Sequence, residues 1–258
     1  MRRRSNRLTG PREARVAIFD WYAISEHAGL PHNDDFVLAE PGYGVFLVAD
    51  GMGGRPGGAQ ASRVAARAFM DYLRRVNPAA IASPAALRKA VSAANKAVHE
   101  IVRTDPRMAG MGTTLSAAVL PGTGGRIVHV GDSRIYRYRQ GRLEQLTEDH
   151  TLEAEMLAHD MLPQAGEFAM RHVLSRAVGT QPTVEPHIAG LDLGGEDWLL
   201  LATDGFYNAI PAERMQDIAI VNAAASAHVL CRTLVRAALD AGPQDNVTLA
   251  VVRRLGRR

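Results

Sequence analysis

Two long apolar runs each end in an aspartate followed by a glycine: "VFLVADG" at Asp50 and "WLLLATDG" at Asp204. "IVHVGDS" delivers Asp132 in the same way, "GPQDN" sets Asp245 just before another apolar run, and "HNDDF" adds Asp34 and Asp35 near the start. Singly, each reads as a turn residue, because Asp-Gly is a common turn signal. Together they describe another chemistry. Carboxylates gathered at one place repel one another unless cations neutralise them. Hard divalent ions take oxygen ligands, and Mg²⁺ or Mn²⁺ keeps waters while bound through a few carboxylates. Such ions act as Lewis acids toward phosphate oxygens and make hydroxide from water near neutral pH. The competing metal chemistry is absent: no Cys/His ligand spacing occurs, and Cys231, the single cysteine, lies in a helical pattern and is expected to be a core thiol.

The stretch "DGMGGRPGG" (50–58) has the glycine content of a phosphate cradle. It opens on an anion, however, and lacks the lysine of "GK[ST]", so a nucleotide site is not indicated. Cations between Asp50 and a phosphate resolve the conflict.

The elements that position these acids can be read from periodicity. "YGVFLVAD" (43–50) is a buried strand, and 59–76 and 84–103 have apolar residues at helical spacing, the second opened by Ser83 as N-cap and Pro84. Strands follow over 113–120, 125–132, 133–140 and 141–147, the last turning at Gly141, then again at 197–204 and 246–254. Helices are expected from Pro211 and over 223–240. Clustered strands with short turns and helices in pairs imply an α+β fold of layered antiparallel sheets. One domain over 13–254 is expected, after a basic tail at 1–12, with the irregular 148–180 stretch as a flap.

Composition narrows the function classes. Hydrophobic content is 47%, charged content 22%, and the net charge of +3 sits largely at the two ends. No basic stripe interleaved with aromatics appears, so nucleic acid is set aside. No apolar run approaches the ~20 residues that span a bilayer, and no apolar signal core follows "MRRRSNRL". A cytoplasmic monomer without membrane contact is expected.

Seven segments in order, "HNDDF", "VADGMGGRPGGAQAS", "MGTTLSAAV", "HVGDSRIYRYRQGRLEQLTEDHT", "HVLSRAVG", "LLLATDGFYNAI" and "DNVTLAVV", resemble the PPM (type-2C) metal-dependent serine/threonine protein phosphatases, in their bacterial single-domain form. The resemblance implies a four-layer α-β-β-α sandwich with Mn²⁺ or Mg²⁺ in a cleft at one end, two core ions and a third in bacterial members. It implies that Asp50 bridges two ions and the Gly51 carbonyl contacts one. Asp204 and Asp245 complete the first ion's ligands, Asp34 at the family's Glu position holds waters of the second, and Asp132 serves the third. Asn246, Asn33 and Asp35 orient the site. The catalytic role of Asp50, Asp204 and Asp245 is exerted through a metal-activated water that attacks phosphorus without a phosphoenzyme. The partners implied are phosphorylated proteins, including a serine/threonine kinase.

Three positions depart from the family pattern. Leu30 stands where an arginine grips the substrate phosphate, and a bidentate arginine is hard to replace. Arg55 and His32 are the candidate substitutes, with His27 behind them. Asp34 is one methylene shorter than Glu. Met52 stands where eukaryotic relatives carry a histidine general acid. The expectation is activity with weakened phosphate binding. The alternative is a phosphoprotein-binding or scaffold member with weakened catalysis.

Overall fold

The computed structural model describes residues 17–52, 57–122, 124–158 and 173–257. The expected tail at 1–12 and Arg55 lie outside the described residues. The described strands are β1 (Ala17–Glu26), β2 (Asp35–Glu40), β3 (Val45–Asp50), β4 (Leu115–Val119), β5 (Gly124–Val130), β6 (Arg134–Arg139), β7 (Arg142–Gln145), β8 (His187–Asp192), β9 (Trp198–Ala202) and β10 (Val247–Arg257). The helices are α1 (Gly58–Leu73), α2 (Pro84–Thr104), α3 (Leu152–Ala158), α4 (Asp204–Tyr207), α5 (Ala212–Val221) and α6 (Ala227–Asp240). One sheet has the order β1-β10-β9-β6-β7 and the other β2-β3-β4-β5-β8.

Three apolar layers stack these elements. Ala61, Ala65, Phe69 and Leu73 of α1, with Leu87, Val91 and Val98 of α2, bury helical stripes against Leu47, Leu115 and Ala117 of the second sheet. Leu230, Leu234 and Ala238 of α6 and Ile218 of α5 do the same against Leu200, Leu249 and Val251 of the first sheet, where Cys231 is a buried core thiol. Between the sheets, Phe46, Val48, Ala118 and Ile127 meet Leu199, Leu201, Ala250 and Val252. The result is the α-β-β-α sandwich expected from the sequence.

Local signals explain several boundaries. Ser83 Oγ accepts the Ala86 N–H at 3.2 Å, with Pro84 opening α2. Gln140 and Gly141, at φ 50° and 82°, form the two-residue turn that joins β6 to β7 through the Arg139–Arg142 pair. Positive φ at both turn residues matches the twist of an antiparallel hairpin.

Other boundaries move. The run expected as a strand to 204 ends at Ala202, and Asp204 instead opens α4. The helix expected over 223–240 begins at Ala227, behind Ser226. The strands β1, β2 and β8 were not anticipated. Each is a sheet edge with few buried positions, so its sequence lacks the continuous apolar run that marks β3 or β9. Within the stretch expected as a flap, α3 is followed by 159–172, outside the described residues. The neck closes where the Leu152 N–H meets Val173 O and the Ser175 N–H meets His150 O, both at 2.9 Å. Among the described residues no helix is long and apolar enough to cross a membrane.

At one end of the sandwich the inter-sheet interior changes character. The alternation that points Ala118 and Ala250 inward also points Ser116, Thr114 and Thr248 inward. With Asp35, His129 and Thr203 they form a buried polar layer, all below 5% exposed. The acids lie at this end.

Candidate metal centre

Each acid arrives on a different element. Asp50 ends β3, Asp132 follows β5 in the turn to β6, Asp204 opens α4 beyond β9, Asp245 precedes β10, and Asp35 begins β2 opposite Asp50. Because β3 and β5 flank β4 in one sheet and β9 and β10 pair in the other, these ends meet across the inter-sheet gap.

Their electrostatics show the convergence. Burial pushes the Asp50 carboxyl well above the usual carboxylate range, and the negative charges of Asp35, Asp204, Asp132 and Asp245 push it further. Burial raises Asp35 to about 8 against hydrogen bonds from Thr248 and Thr203, with Asp204 and Asp245 adding repulsion. Burial, then Asp204 and Asp149, raises Asp132 to about 7. These are like charges in one field. Among the described residues no three acidic, histidine or cysteine side chains already stand as a closed chelating set. The donor chemistry, carboxylates without thiolate or imidazole, is nevertheless that of a hard divalent cation.

Glycines allow the close approach. A Cβ on Gly51 would lie 2.1 Å from Gly58 O and 2.7 Å from Asp34 O, so the turn after Asp50 fits against α1 and β2 only without a side chain. The Gly51 N–H donates to Asp34 O at 3.1 Å.

The two acids of "HNDD" have separate surroundings. Asp34 Oδ1 accepts the Ala59 N–H at 3.1 Å, in the first turn of α1. Asp35, expected to orient the site, is the buried one that faces Asp204 and Asp245, and its Oδ2 accepts the Thr203 hydroxyl at 2.7 Å. Asn33 Oδ1 accepts the Asp35 N–H at 3.1 Å, while its amide donates to Ser25 Oγ at 2.9 Å. Asn246 gathers the neighbourhood: its N–H bonds Asp245 Oδ1 (2.7 Å), its Oδ1 accepts the Asp34 N–H (2.8 Å), and its Nδ2 reaches His32 O (3.0 Å) and His27 O (3.3 Å). The Asn246 side chain therefore holds the loop bearing Leu30 beside Asp245 through that loop's backbone groups, with the His32 and His27 side chains exposed.

A cavity of about 900 Å³ opens beside the acids, lined among others by Asp132, Arg134, Leu157, Asp204, Tyr207 and Asp245. Arg134 is committed within its wall. It holds both Asp149 oxygens, the closest at 2.6 Å, and its guanidinium lies 3.8 Å from the Tyr207 ring centroid. Burial alone would lower the Arg134 pKa, but the Asp149 bond keeps it raised. The Tyr207 hydroxyl donates to Asp132 O at 3.0 Å.

Thr113, Thr114, Ser116, His129, His150, Thr203 and Tyr207, which support these turns, are not among the residues that the sequence motifs single out. A signal existed, since Thr114 and Ser116 put hydroxyls at inward positions of an otherwise apolar strand. The His129 and His150 rings meet at a tilt of 40° with centroids 4.6 Å apart; burial lowers them to about 4 and 3, so both are neutral at pH 7.

These shifts predict how stability depends on pH. The folded-state pKa values of Asp35 and Asp132 are raised, so their favourable contribution is complete below the unfolded value near 4 and is lost as pH rises through 7 to 8. The histidines are depressed, and their contribution is lost as pH falls below about 6.5. Between about pH 6.5 and 8 the acids act alone. The Tm of chelator-treated protein should therefore fall across that window, and Mn²⁺ should restore it. A flat Tm, or one indifferent to Mn²⁺, contradicts this reading of the cluster.

A family model described as protein phosphatase 2C matches residues 24–241. The chain belongs to the protein phosphatase 2C family. Among curated family members, the serine/threonine phosphatase stp of Listeria welshimeri is 34% identical over 216 residues, 81% of this chain and 84% of its own. PstP of Mycobacterium tuberculosis is 34% identical over 243 residues, 92% of this chain and 46% of its own. In three dimensions, a crystal structure of M. tuberculosis PstP superposes with a TM-score of 0.81 at 30% identity, covering 92% of this chain and 98% of that one. The PstP catalytic domain in complex with two manganese ions gives 0.79 at 30% identity, covering 91% and 97%. The protein phosphatase 2C sandwich is thus shared in architecture, and the acids described above sit within it.

Proposed function

We propose that the chain is a Mn²⁺- or Mg²⁺-dependent protein phosphatase that hydrolyses phosphoserine and phosphothreonine in proteins. One observation carries the reading: in a protein phosphatase 2C fold, Asp50, Asp204 and Asp245 meet Asp35 and Asp132 in one electrostatic field, where burial and mutual repulsion outweigh the opposing charge of Arg134 at Asp132. Asp50, Asp204, Asp245 and the Gly51 carbonyl would hold the core ions, with Asp34 or Asp35 beside them and Asp132 at a third. Bound there, the ions supply Lewis acidity toward phosphate oxygens and water and offset the carboxylate charge. The protein's own groups do the rest. Asn246 fixes Asp245 relative to the His27–Asp34 loop, Tyr207 fixes the Asp132 carbonyl, and the cavity admits a phosphorylated segment.

In this reading Arg55 is the first candidate to contact the substrate phosphate in place of the arginine absent at Leu30, with His32 as the second. The enzyme acts as a cytoplasmic monomer on phosphorylated proteins, a serine/threonine kinase among them, and the 148–180 stretch is its flap. A phosphothreonine peptide should be hydrolysed in Mn²⁺ and not in chelator. Arg55→Ala should raise KM several-fold with little change in kcat, as loss of a ground-state phosphate contact does. Phosphopeptide binding without turnover in Mn²⁺ would instead favour the scaffold alternative raised by Leu30.

A further inference from the structure

Thr114 stands where two acid-bearing turns come together. The β3–β4 register, continued past its last pair, sets Thr114 opposite Asp50, and the β4–β5 register, continued likewise, sets it opposite Gly131. Its side chain uses both sides. Thr114 Oγ1 accepts the Asp50 N–H at 2.9 Å and shares a 2.6 Å bond with Ser133 Oγ. Its own N–H donates to Asp50 O at 2.9 Å, while its Cγ2 occupies the space a Cβ on Gly131 would need, at 2.6 Å. A single side chain, 2% exposed, therefore joins the residue that ends β3 to the residue that follows Asp132.

The bridge is held from behind by a buried chain of polar groups. Ser116 Oγ donates to Ser133 O at 2.7 Å and lies 2.8 Å from His129 Nδ1. His129 Nε2 lies 2.9 Å from Glu148 O, a carbonyl that can only accept, which puts the proton of the neutral ring on Nε2. On the other flank, the Gly131 N–H donates to His150 Nδ1 at 3.2 Å and the His150 N–H returns a 2.8 Å bond to Gly131 O. Ser116, His129 and Ser133 have no measurable exposure. Deleting one member leaves buried donors unmatched, so the network resists change in the spacing it sets.

We propose that Thr114 is a positioning residue that fixes the Asp50 turn against the Asp132 turn and thereby sets the protein's affinity for divalent ions. This rests on the reading that Asp50 and Asp132 are metal-holding acids. The test compares Thr114→Val, Thr114→Ser and Ser133→Ala with the wild type by calorimetric titration of Mn²⁺, alongside kcat and KM on a phosphothreonine peptide. Thr114→Val keeps the branched shape and removes the hydroxyl, whereas Ser133→Ala breaks the same bridge and leaves the Asp50 bond in place. Both should weaken Mn²⁺ binding by ~10-fold to ~100-fold, the range for residues that orient metal ligands. kcat at a fixed Mn²⁺ concentration should fall with KM nearly unchanged, and Thr114→Ser should stay close to wild type. Wild-type Mn²⁺ affinity in Ser133→Ala, or equal weakening in Thr114→Ser and Thr114→Val, overturns the role of the hydroxyl. Asp50→Asn, titrated in parallel, separates the two readings: wild-type binding there would overturn the metal site itself.

Discussion

Asp50→Asn is expected to abolish phosphopeptide hydrolysis and, at the same time, to make the metal-free protein more stable at pH 8. The substitution keeps shape and removes charge. Asp50 is pushed upward by burial and by four neighbouring aspartates, so ionising it without a cation works against the fold. Removing an unfavourable buried charge is worth ~1–3 kcal/mol, which in a domain of this size raises the Tm by roughly 2–4 °C for each kcal/mol. The functional effect runs the other way. If Asp50 bridges the ions, its loss removes several kcal/mol of transition-state stabilisation, or ~10³-fold in rate at about 1.4 kcal/mol per decade. Melting curves in chelator and turnover in Mn²⁺ check the two halves separately. A variant that loses activity and stability together would point to a merely structural aspartate.

Gly205→Ala should be a strongly damaging single-methyl change near the site. A Cβ there would lie 2.2 Å from Asn246 O and 3.0 Å from the carbonyl carbon of Asp245. These are backbone atoms, which no rotamer change can move aside. The start of α4 and the start of β10 must separate, and with them Asp204 and Asp245. Overpacking of this kind costs ~1–3 kcal/mol, and a displacement of about 1 Å at catalytic groups costs ~10²-fold in rate. Gly190→Ala is the matched control, because a Cβ there meets nothing within 4 Å. Loss of activity in Gly205→Ala with a Tm lowered by no more than this overpacking cost, beside wild-type activity and Tm in Gly190→Ala, supports displacement of the acids; wild-type activity in Gly205→Ala contradicts the packing described here.

What was legible in the sequence follows from burial. β3 and β9 are enclosed on both faces, so they appear as unbroken apolar runs, and the acids at their ends stand out against them. The same property hides β1, β2 and β8, whose exposed faces carry mixed residues. The resemblance gave Asp34 and Asp35 different roles, but which carboxyl turns inward is decided by the start of β2. The place of Thr114 depends on two strand registers at once, and its sequence shows only a hydroxyl before an apolar strand. Leu30 was visible as a departure. The Asn246 bonds to His27 O and His32 O, which hold that loop beside Asp245, needed the fold.

The central claim is that this acid cluster is a divalent-cation site. Calorimetric titration of Mn²⁺ into chelator-treated wild type and Asp50→Asn at pH 8 tests it most directly. The account predicts saturable binding of at least two ions per wild-type chain and loss of that binding in Asp50→Asn. Absence of binding to the folded wild type, or identical isotherms for the two proteins, would contradict it.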